Sequence, residues 1–440
     1  MTKHPRSGAA VRAASRLLCL LASACGDSPA APATATSGEG RGARRARVEE
    51  LTAMGYAGEV EDEPDGAASG VVFRDAGRSA PGYDLYTVST LSFAELIDEA
   101  GGVVRRWSWR DAQGRPLAGW TGNASAKWER SVLLETGELL VVGSEHTDWG
   151  DGEERNRIAD DARYLMKLGW DGELLWKRRM RVHHDIEVTP DGRLLTLTFS
   201  RRVVRAIDPV VPVRVDELTL LDQEGRVLET RPLLRAVRAR PERFTLWSKE
   251  PDGLGGETWI DLFHANSCEW MRHAALADRH PIYAPDNVLV CFRHQHCIAV
   301  IDWKANEVVW SWGKDEIWGP HDAQMLADGS ILVFDNGLGQ GRSRALVVDP
   351  LRDEIVWQWE ADPPESFYTR SQGSVQRLPN GNFLLAESER GRALEITAEG
   401  ERVWEFRAPH RTRDGKRAAI ARIVRHPRAF VDAILERHGD

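Results

Sequence analysis

Short runs of alternating apolar and polar residues recur along this chain, and tight turns follow many of them. The clearest copy is Val308–Gly337, in which a β-rich run closed by Trp312 crosses a loop to His321. A further run then turns at Asp328-Gly329 and returns as a second apolar stretch. Because Asp-Gly between two apolar runs is a strong hairpin signal, the pattern predicts that His321 lies at or near the start of a strand.

The same unit repeats every forty-odd residues. Trp310, Trp357 and Trp404 are each separated by 47 residues. Looser copies contain Trp107 and Trp176, and Gly225–Glu229 stands where a sixth tryptophan-bearing strand is expected. Antiparallel strands in repeats of this length, each unable to bury its face alone, are typical of propeller blades. The sequence therefore predicts an all-β, six-bladed β-propeller.

A closed propeller leaves no exposed strand edge, so the ends of the chain are expected to meet. We predict that Val71–Phe73 or Tyr83–Val88 completes the blade that contains Ala393–Ile396. Residues 67–409 are the predicted propeller. Residues 410–440 are predicted to form a basic, partly helical C-terminal extension, with a helix at Phe430–Glu436 packed on the rim.

Composition agrees with a large repeat architecture. The chain has 440 residues, of which 42% are apolar, and most of its 17 tryptophans fall in the strand-closing positions. Its net charge of −9, without a long basic run, argues against nucleic acid as a partner.

The N-terminus has the order of an export signal. Lys3, Arg6, Arg12 and Arg16 precede a short apolar run that ends in small residues before Cys25. This run is too short to span a membrane, and a Cys after small residues resembles a bacterial lipoprotein signal. We predict a signal peptide at 1–25 and a disordered tether at 26–66, rich in Ala, Ser, Pro, Gly and charge.

Export would place the protein in the periplasm or on the outer membrane of a bacterium. The N-terminal lipid at Cys25 would be its membrane contact, and without lipidation the protein would be secreted. Three further cysteines, Cys268, Cys291 and Cys297, would then lie in an oxidising compartment. One disulfide is expected among them, either Cys291–Cys297 or Cys268–Cys291, and the sequence does not choose.

Polar residues from distant parts of the chain occupy equivalent places in the repeat. His184 lies seven residues before Asp191, as His321 does before Asp328, and Gly373 holds the matching place in the next repeat. Further polar residues are expected to converge on the same axial pocket, namely His264, Asn266, Arg293, His294 and His296.

The chemistry of this set favours an oxyanion. The spacing is not that of a zinc site, a nearby Arg293 disfavours a divalent cation, and neither a phosphate loop nor a nucleophile elbow is present. We therefore predict no metal and no cofactor. Cationic and neutral donors around a reactive imidazole suit a sulfate or phosphate group, and His is a competent nucleophile for group transfer.

Several motifs in this order resemble the bacterial arylsulfate sulfotransferases, over about Tyr83 to Phe406. They are Val182-His-His-Asp185, Asp261–Ser267, Phe292-Arg-His-Gln-His296, Gly319-Pro-His-Asp-Ala-Gln324, Phe334-Asp-Asn-Gly337 and Leu378–Asn382. The resemblance implies a six-bladed propeller that transfers a sulfuryl group from an aryl sulfate to a phenol without a nucleotide sulfate donor. The chain lacks the N-terminal β-sandwich of the better-known members and is closer to the short, propeller-only branch.

The resemblance also assigns roles. His321 matches the nucleophile that becomes sulfohistidine, Arg293 the residue that holds the sulfuryl oxygens, and His264 and His184 the supporting histidines, either of which would protonate the leaving oxygen. We add Asn266 as a donor and Trp318 as an aryl-pocket residue, although Trp318 equally fits a packing role. For His183, His294 and His296 a structural role is favoured.

Two other classes of function stay open on the sequence alone. One is a non-catalytic propeller on the bacterial cell surface that binds a ligand or a partner through the same channel. The other is a propeller hydrolase with a different nucleophile or a bound metal. The expected partners in the favoured interpretation are small molecules, an aryl sulfate and a phenol.

Overall fold

The computed structural model describes most of the chain after the leader and tether. The described residues are 68–89, 91–108, 124–147, 162–249, 252–254, 257–412 and 415–439. The predicted signal peptide at 1–25 with Cys25, the predicted tether at 26–66 and residue 67 lie outside them.

Six antiparallel sheets are arranged as six blades, each counted here from its inner strand outward. Blade 1 consists of β27 (Ile420–His426), β2 (Tyr83–Val88), β3 (Phe93–Ile97) and β4 (Val103–Ser108). Blade 2 consists of β5 (Ala124–Leu133), β6 (Leu139–Thr147), β7 (Arg163–Leu168) and β8 (Leu174–Arg179).

Blade 3 is extended by an insertion. It consists of β9 (Val182–Val188), β10 (Leu194–Val203), β11 (Pro212–Leu221) and β12 (Val227–Pro232), with β13 (Asp252–Leu254) and β14 (Glu257–Asp261) added through a parallel pairing of β14 with β11. The insertion also contains helix α1 (Leu233–Ala239), whose buried side chains Leu233, Leu234, Ala236 and Val237 pack into the core between blades 3 and 4.

The last three blades follow the predicted repeat closely. Blade 4 consists of β15 (Ala265–Trp270), β16 (Asn287–Phe292), β17 (Cys297–Asp302) and β18 (Glu307–Trp312). Blade 5 consists of β19 (His321–Met325), β20 (Ile331–Asp335), β21 (Arg344–Asp349) and β22 (Glu354–Glu360). Blade 6 consists of β23 (Ser374–Arg377), β24 (Phe383–Glu387), β25 (Arg392–Ile396), β26 (Arg402–Arg407) and β1 (Gly70–Arg74).

Both ends of the described chain close the ring. Strand β1 adds to the outer edge of blade 6, where Val71 pairs with Phe406, which confirms the first of the two predicted closures. The second was wrong, because Tyr83–Val88 pairs with β27 in blade 1. The predicted end of the propeller at 409 is also wrong, since Ile420–His426 is the inner strand of blade 1.

The C-terminal helix α2 (Arg428–His438) follows directly on β27 and confirms the predicted helical tail. Its Val431 and Ile434 are buried against the core of blades 1 and 2. In the described ranges of the chain, none of the helices has the length and apolar character needed to cross a membrane.

The repeated tryptophans stabilise contacts between neighbouring blades. Four of them sit in the outer strand of a blade and donate the indole N–H to the outer turn of the next blade. The pairs are Trp107 to Gly169 O at 3.1 Å, Trp176 to Gln223 O at 3.1 Å, Trp310 to Asp353 Oδ1 at 2.8 Å and Trp357 to Ala398 O at 2.8 Å. An interblade surface needs apolar area to bury and a hydrogen-bond donor for the turn of the next blade. The indole ring supplies both, which explains the recurrence of Trp.

The inner strands are joined around the hub by side chains that bond the backbone of the next blade. Asp185 Oδ2 accepts from Cys268 N at 3.1 Å, and Asp322 Oδ2 accepts from Val375 N at 3.0 Å. Both carboxylates thus brace a neighbouring blade.

The predicted disulfide is wrong. Cys268, Cys291 and Cys297 are buried free thiols. Cys291 packs with the core on one face of blade 4, whereas Cys268 and Cys297 pack on the other face, so neither predicted pair can meet. Cys268 and Cys297 share a face but lie on β15 and β17, two strands apart, roughly 10 Å and beyond the span of a disulfide.

Candidate functional site

A cavity opens at the hub, and every blade contributes to its wall. The lining residues are Ser89, Ala421 and Arg422 from blade 1, Lys127 and Glu129 from blade 2, His184 from blade 3, Asn266 from blade 4, His321 and Asp322 from blade 5, and Gln372 and Gly373 from blade 6. The repeat therefore brings together residues as far apart in the sequence as Ser89 and Arg422.

Backbone irregularities at the inner strands point these side chains into the cavity. Strands β9, β15 and β19 each pair with the next strand of their blade, and each pairing shifts register at the site residues. His184, His264, Asp322 and Gln372 adopt left-handed φ values of 59°, 44°, 53° and 58°. Such bulges and left-handed residues re-aim side chains and are concentrated at functional sites.

His321 is the first residue of β19 and is 6% exposed. Its Nδ1 lies 2.6 Å from Asn336 Oδ1 and 3.1 Å from Gly319 O. Both partners are acceptors, so Nδ1 carries the proton and Nε2 carries the lone pair. Burial, reinforced by the charge of Arg293, lowers the pKa of His321 well below the usual range, so the imidazole is neutral at neutral pH.

The orientation of Asn336 is fixed by its own amide group. Its Nδ2 donates to Thr369 O at 2.9 Å and to Gln372 O at 2.7 Å. Both of its donors are thus used, which leaves Oδ1 to accept from His321. The motif Phe334–Gly337 contains Asn336, but no role was predicted for it from the sequence.

Arg293 lies next to the cavity wall and not in it. It is 1% exposed, its Nη1 lies 3.1 Å from His294 Nε2, and its Nη2 donates to Arg370 O at 3.4 Å. It is close enough to His321 to lower the pKa of that imidazole. Among the described residues, those lining the cavity do not include Arg293, so its predicted contact with sulfuryl oxygens stays a prediction.

His184 lines the cavity, whereas His183 is fully buried and does not belong to the described lining. The backbone of His184 is in the left-handed region, and the rings of His183 and His184 are in contact, with their Nδ1 atoms 2.8 Å apart. Glu129 Oε2 accepts from His184 N at 2.9 Å. Burial lowers the pKa of His184 to about 3, so it is a neutral imidazole.

His264 stands behind His184, with ring centroids 4.8 Å apart. Its Nδ1 lies 2.7 Å from Asp261 Oδ2, and burial lowers its pKa well below the usual range. Asp261, His264 and His294 are close enough together to suggest a metal site. However, His294 Nδ1 donates to Asp261 O at 2.7 Å and its Nε2 accepts from Arg293, so neither ring nitrogen is left for a metal.

Two other predicted residues differ in their outcome. Asn266 lines the cavity, is 6% exposed, and donates from Nδ2 to Pro320 O at 2.8 Å. Trp318 is half-buried and lies outside the described cavity lining; its backbone N donates to Asp335 Oδ1 at 2.8 Å. The predicted aryl contact of Trp318 is therefore not supported, and its alternative structural role is favoured.

Sequence reasoning missed the contributions of blades 1 and 2. Lys127 and Glu129 come from β5 and Arg422 from β27. Arg422 forms an ion pair with Asp322 and lies 3.5 Å from Asp185 Oδ1, so it links the residues that follow His321 and His184. The β-branched residues Ile420, Ile423 and Val424 are the signal that could have identified this strand.

The family of the chain follows from a match that covers more than half of its residues. A family model described as arylsulfotransferase (ASST) matches residues 163–409. The chain belongs to the arylsulfotransferase family. Membership supports a sulfotransferase enzyme that acts on small aryl substrates. The match does not extend to Lys127, Glu129 or Arg422.

Comparison with individual proteins adds only distant similarities. No curated protein matches the chain. Similar solved structures include a protein of unknown function from Bacteroides caccae (14% identity, 78% of this chain and 98% of that chain, TM-score 0.48). A streptogramin B lyase (11%, 83% and 96%, 0.41) and a virginiamycin B lyase from Staphylococcus aureus (9%, 76% and 86%, 0.36) are also similar. None of these similarities bears on the activity of the arylsulfotransferase-family chain.

Proposed function

We propose that the chain transfers a sulfuryl group from an aryl sulfate to a phenolic acceptor through a sulfohistidine at His321, without a nucleotide sulfate donor. One observation carries the proposal: the 2.6 Å hydrogen bond between His321 Nδ1 and Asn336 Oδ1, in the wall of the hub cavity. It holds the imidazole in the tautomer whose Nε2 lone pair is available to attack sulfur.

The charge around His321 supports an anionic substrate. Arg293 is close enough to affect the His321 pKa, and Lys127 and Arg422 line the cavity itself. Cationic groups in a buried site stabilise charge on the non-bridging sulfuryl oxygens more strongly than they would in water.

In the first half-reaction, the Nε2–S bond forms as the bond from sulfur to the aryl oxygen breaks. His321 then carries the sulfuryl group on Nε2, and its Nδ1 keeps the proton that it donates to Asn336 Oδ1. The aryl oxide takes a proton. In the second half-reaction a phenol loses its proton, its oxygen attacks sulfur, and the electron pair returns to Nε2. The exchange of one phenol for another predicts ping-pong kinetics.

Two buried amide oxygens favour a hydroxyl-bearing acceptor. Asn266 Oδ1 and Gln372 Oε1 belong to cavity-lining residues and have no hydrogen-bond partner within the described residues. A buried acceptor without a partner is costly, and a phenolic O–H supplies the missing donor.

The proposal is tested by sulfuryl transfer from 4-nitrophenyl sulfate to phenol, with and without a chelator. We expect transfer under both conditions, and its loss in His321→Asn with the fold retained. Activity that requires metal would indicate the hydrolase instead, and binding of aryl sulfate without turnover would indicate a ligand-binding propeller.

We also propose that the protein is exported and lipidated at Cys25, on the basis of the leader alone. Cell fractionation of the full chain and of Cys25→Ala tests this. Membrane association that is lost in Cys25→Ala supports it, and retention of both forms in the cytoplasm contradicts it.

A further inference from the structure

We propose that Lys127 is the acid–base residue of this reaction, which gives a proton to the departing aryl oxide and takes one from the acceptor phenol. This inference rests on the sulfuryl transfer proposed above. It concerns a residue that lies before the stretch matched by the family model.

The position of Lys127 is the first argument. It lies on β5, the inner strand of blade 2, and its partly exposed side chain lines the same cavity as His321. Within the described residues its ammonium group has no hydrogen bond or ion pair, whereas Arg422 in the same wall is paired with Asp322. No described residue therefore competes with a ligand for the donors of Lys127.

The other cavity residues are poor proton carriers, which is the second argument. His184 and His321 are neutral, so neither holds an extra proton to give up. The guanidinium of Arg422 does not release a proton in proteins. Burial alone would raise the pKa of Glu129, but the charge of Arg163 and the hydrogen bond from the backbone N–H of His184 lower it below the usual range, so this carboxylate stays ionised.

The charges that face Lys127 suit a proton shuttle. Burial lowers its pKa from the ordinary lysine value of 10.5, Glu129 on the same strand opposes this, and Arg163 on β7 adds to it. Across the cavity stand the Arg422–Asp322 ion pair and the neutral His184. A phenol has a pKa of about 10, so donor and acceptor are well matched for transfer in both directions.

The proton count closes without an external acid. As the bond from sulfur to the aryl oxygen breaks, one N–H of the Lys127 ammonium transfers its proton to that oxygen, which leaves a neutral amine and a phenol. When the acceptor phenol attacks sulfur on His321, its proton goes to the amine. Lys127 returns to the ammonium form and His321 to the free imidazole.

A series of donors with different leaving groups tests this role. Single-turnover rates are measured with 4-nitrophenyl sulfate, whose phenolate leaves readily, and with phenyl sulfate, whose phenolate needs a proton. For Lys127→Met we expect a loss of about 100-fold or more with phenyl sulfate and of less than about tenfold with 4-nitrophenyl sulfate. Lys167→Met is the matched control. Lys167 is buried in the same blade, does not line the cavity, and forms an ion pair with Glu138 in which Nζ and Oε2 are 3.3 Å apart.

Three results would overturn the inference while the proposed function stands. They are an equal loss with both donors, no loss with either, or recovery of the phenyl sulfate rate by Lys127→Arg, which keeps the charge but does not release a proton. If the wild-type chain transfers from neither donor, the proposed function and the inference both fail.

The wild-type protein provides a readout that needs no variant, should Lys127→Met not fold. The acid form of Lys127 exists below its pKa, so kcat/KM for phenyl sulfate must fall as pH rises through a value below 10.5, and 4-nitrophenyl sulfate must be much less sensitive. Identical alkaline profiles for the two donors would contradict the role.

Discussion

The Oδ1 of Asn336 lies 2.6 Å from the Nδ1 of His321, across the junction between two neighbouring strands of blade 5. Both donors of the same amide are held by the backbone oxygens of Thr369 and Gln372 in the segment that leads to blade 6. The tautomer of the proposed nucleophile is therefore set by a chain of contacts that crosses from one blade to the next.

Asn336→Ala should lower kcat for sulfuryl transfer by about 10- to 100-fold, which corresponds to the loss of one buried hydrogen bond worth about 1–3 kcal/mol. KM should change little, because Asn336 does not line the cavity among the described residues. Steady-state kinetics check this. Asn382→Ala is the matched control: its Nδ2 also donates twice, to Arg78 O and Glu395 Oε1, far from the site. Equal effects of the two variants would contradict the account.

The pH dependence at the acid side should lack an ordinary histidine inflection. The nucleophile is active in its neutral form, which exists above its pKa, and burial lowers the pKa of His321 well below the value of 6.5. Activity should therefore persist as pH falls through 6.5 and be lost only further down. The measurement is kcat/KM for 4-nitrophenyl sulfate against pH. A fall centred near 6.5 would show that His321 is not desolvated as described.

Arg422 should matter for stability as well as for the cavity. Its guanidinium pairs with Asp322 and Asp185, whose side chains are 4% and 6% exposed. Arg422→Met leaves two buried carboxylates with less compensation, so we expect a loss of about 3–5 kcal/mol in the free energy of unfolding. Urea denaturation measures it. Arg226→Met, which removes a pair on the exposed surface with Asp222, should leave the midpoint unchanged. A small effect of Arg422→Met would contradict the hub ion pair.

Truncation distinguishes a terminal tail from a blade strand. A chain that ends after residue 419 loses β27, the inner strand of blade 1 and the source of Arg422, and should not fold. A chain that ends after His426 loses only α2 and its buried Val431 and Ile434, and should fold with a lower melting temperature. Circular dichroism and thermal melting compare the two. A stable product from the chain that ends after residue 419 would restore the prediction that the propeller ends at 409.

The sequence predicted the blades well because their signals are local. Trp310, Trp357 and Trp404 recur at a fixed spacing, so the repeat could be recognised without coordinates. Trp310 and Trp357 make the same interblade hydrogen bond. His321 at the start of a strand followed from the Asp328-Gly329 turn, which the structure confirms with a φ of 94° at Gly329.

What could not be predicted depends on contacts between distant segments. The role of Asn336 requires the backbone of Thr369 and Gln372, and Lys127 enters the cavity only because blade 2 lies opposite blade 5. The strand at Ile420–His426 was mistaken for part of a basic tail because its arginines, among them Arg422 and Arg425, pair with buried carboxylates that only the fold reveals. The disulfide prediction was wrong because strand pairing places Cys291 on the opposite face of its sheet from Cys268 and Cys297.

The central claim is that His321 carries the sulfuryl group between the two half-reactions. The most direct test is to mix the protein with 4-nitrophenyl sulfate in the absence of acceptor, quench at alkaline pH, and map the added mass by peptide mass spectrometry. The account predicts one sulfuryl group per chain, located on His321, absent in His321→Asn and discharged by added phenol. Turnover without any added mass, or a label on another residue, would contradict it.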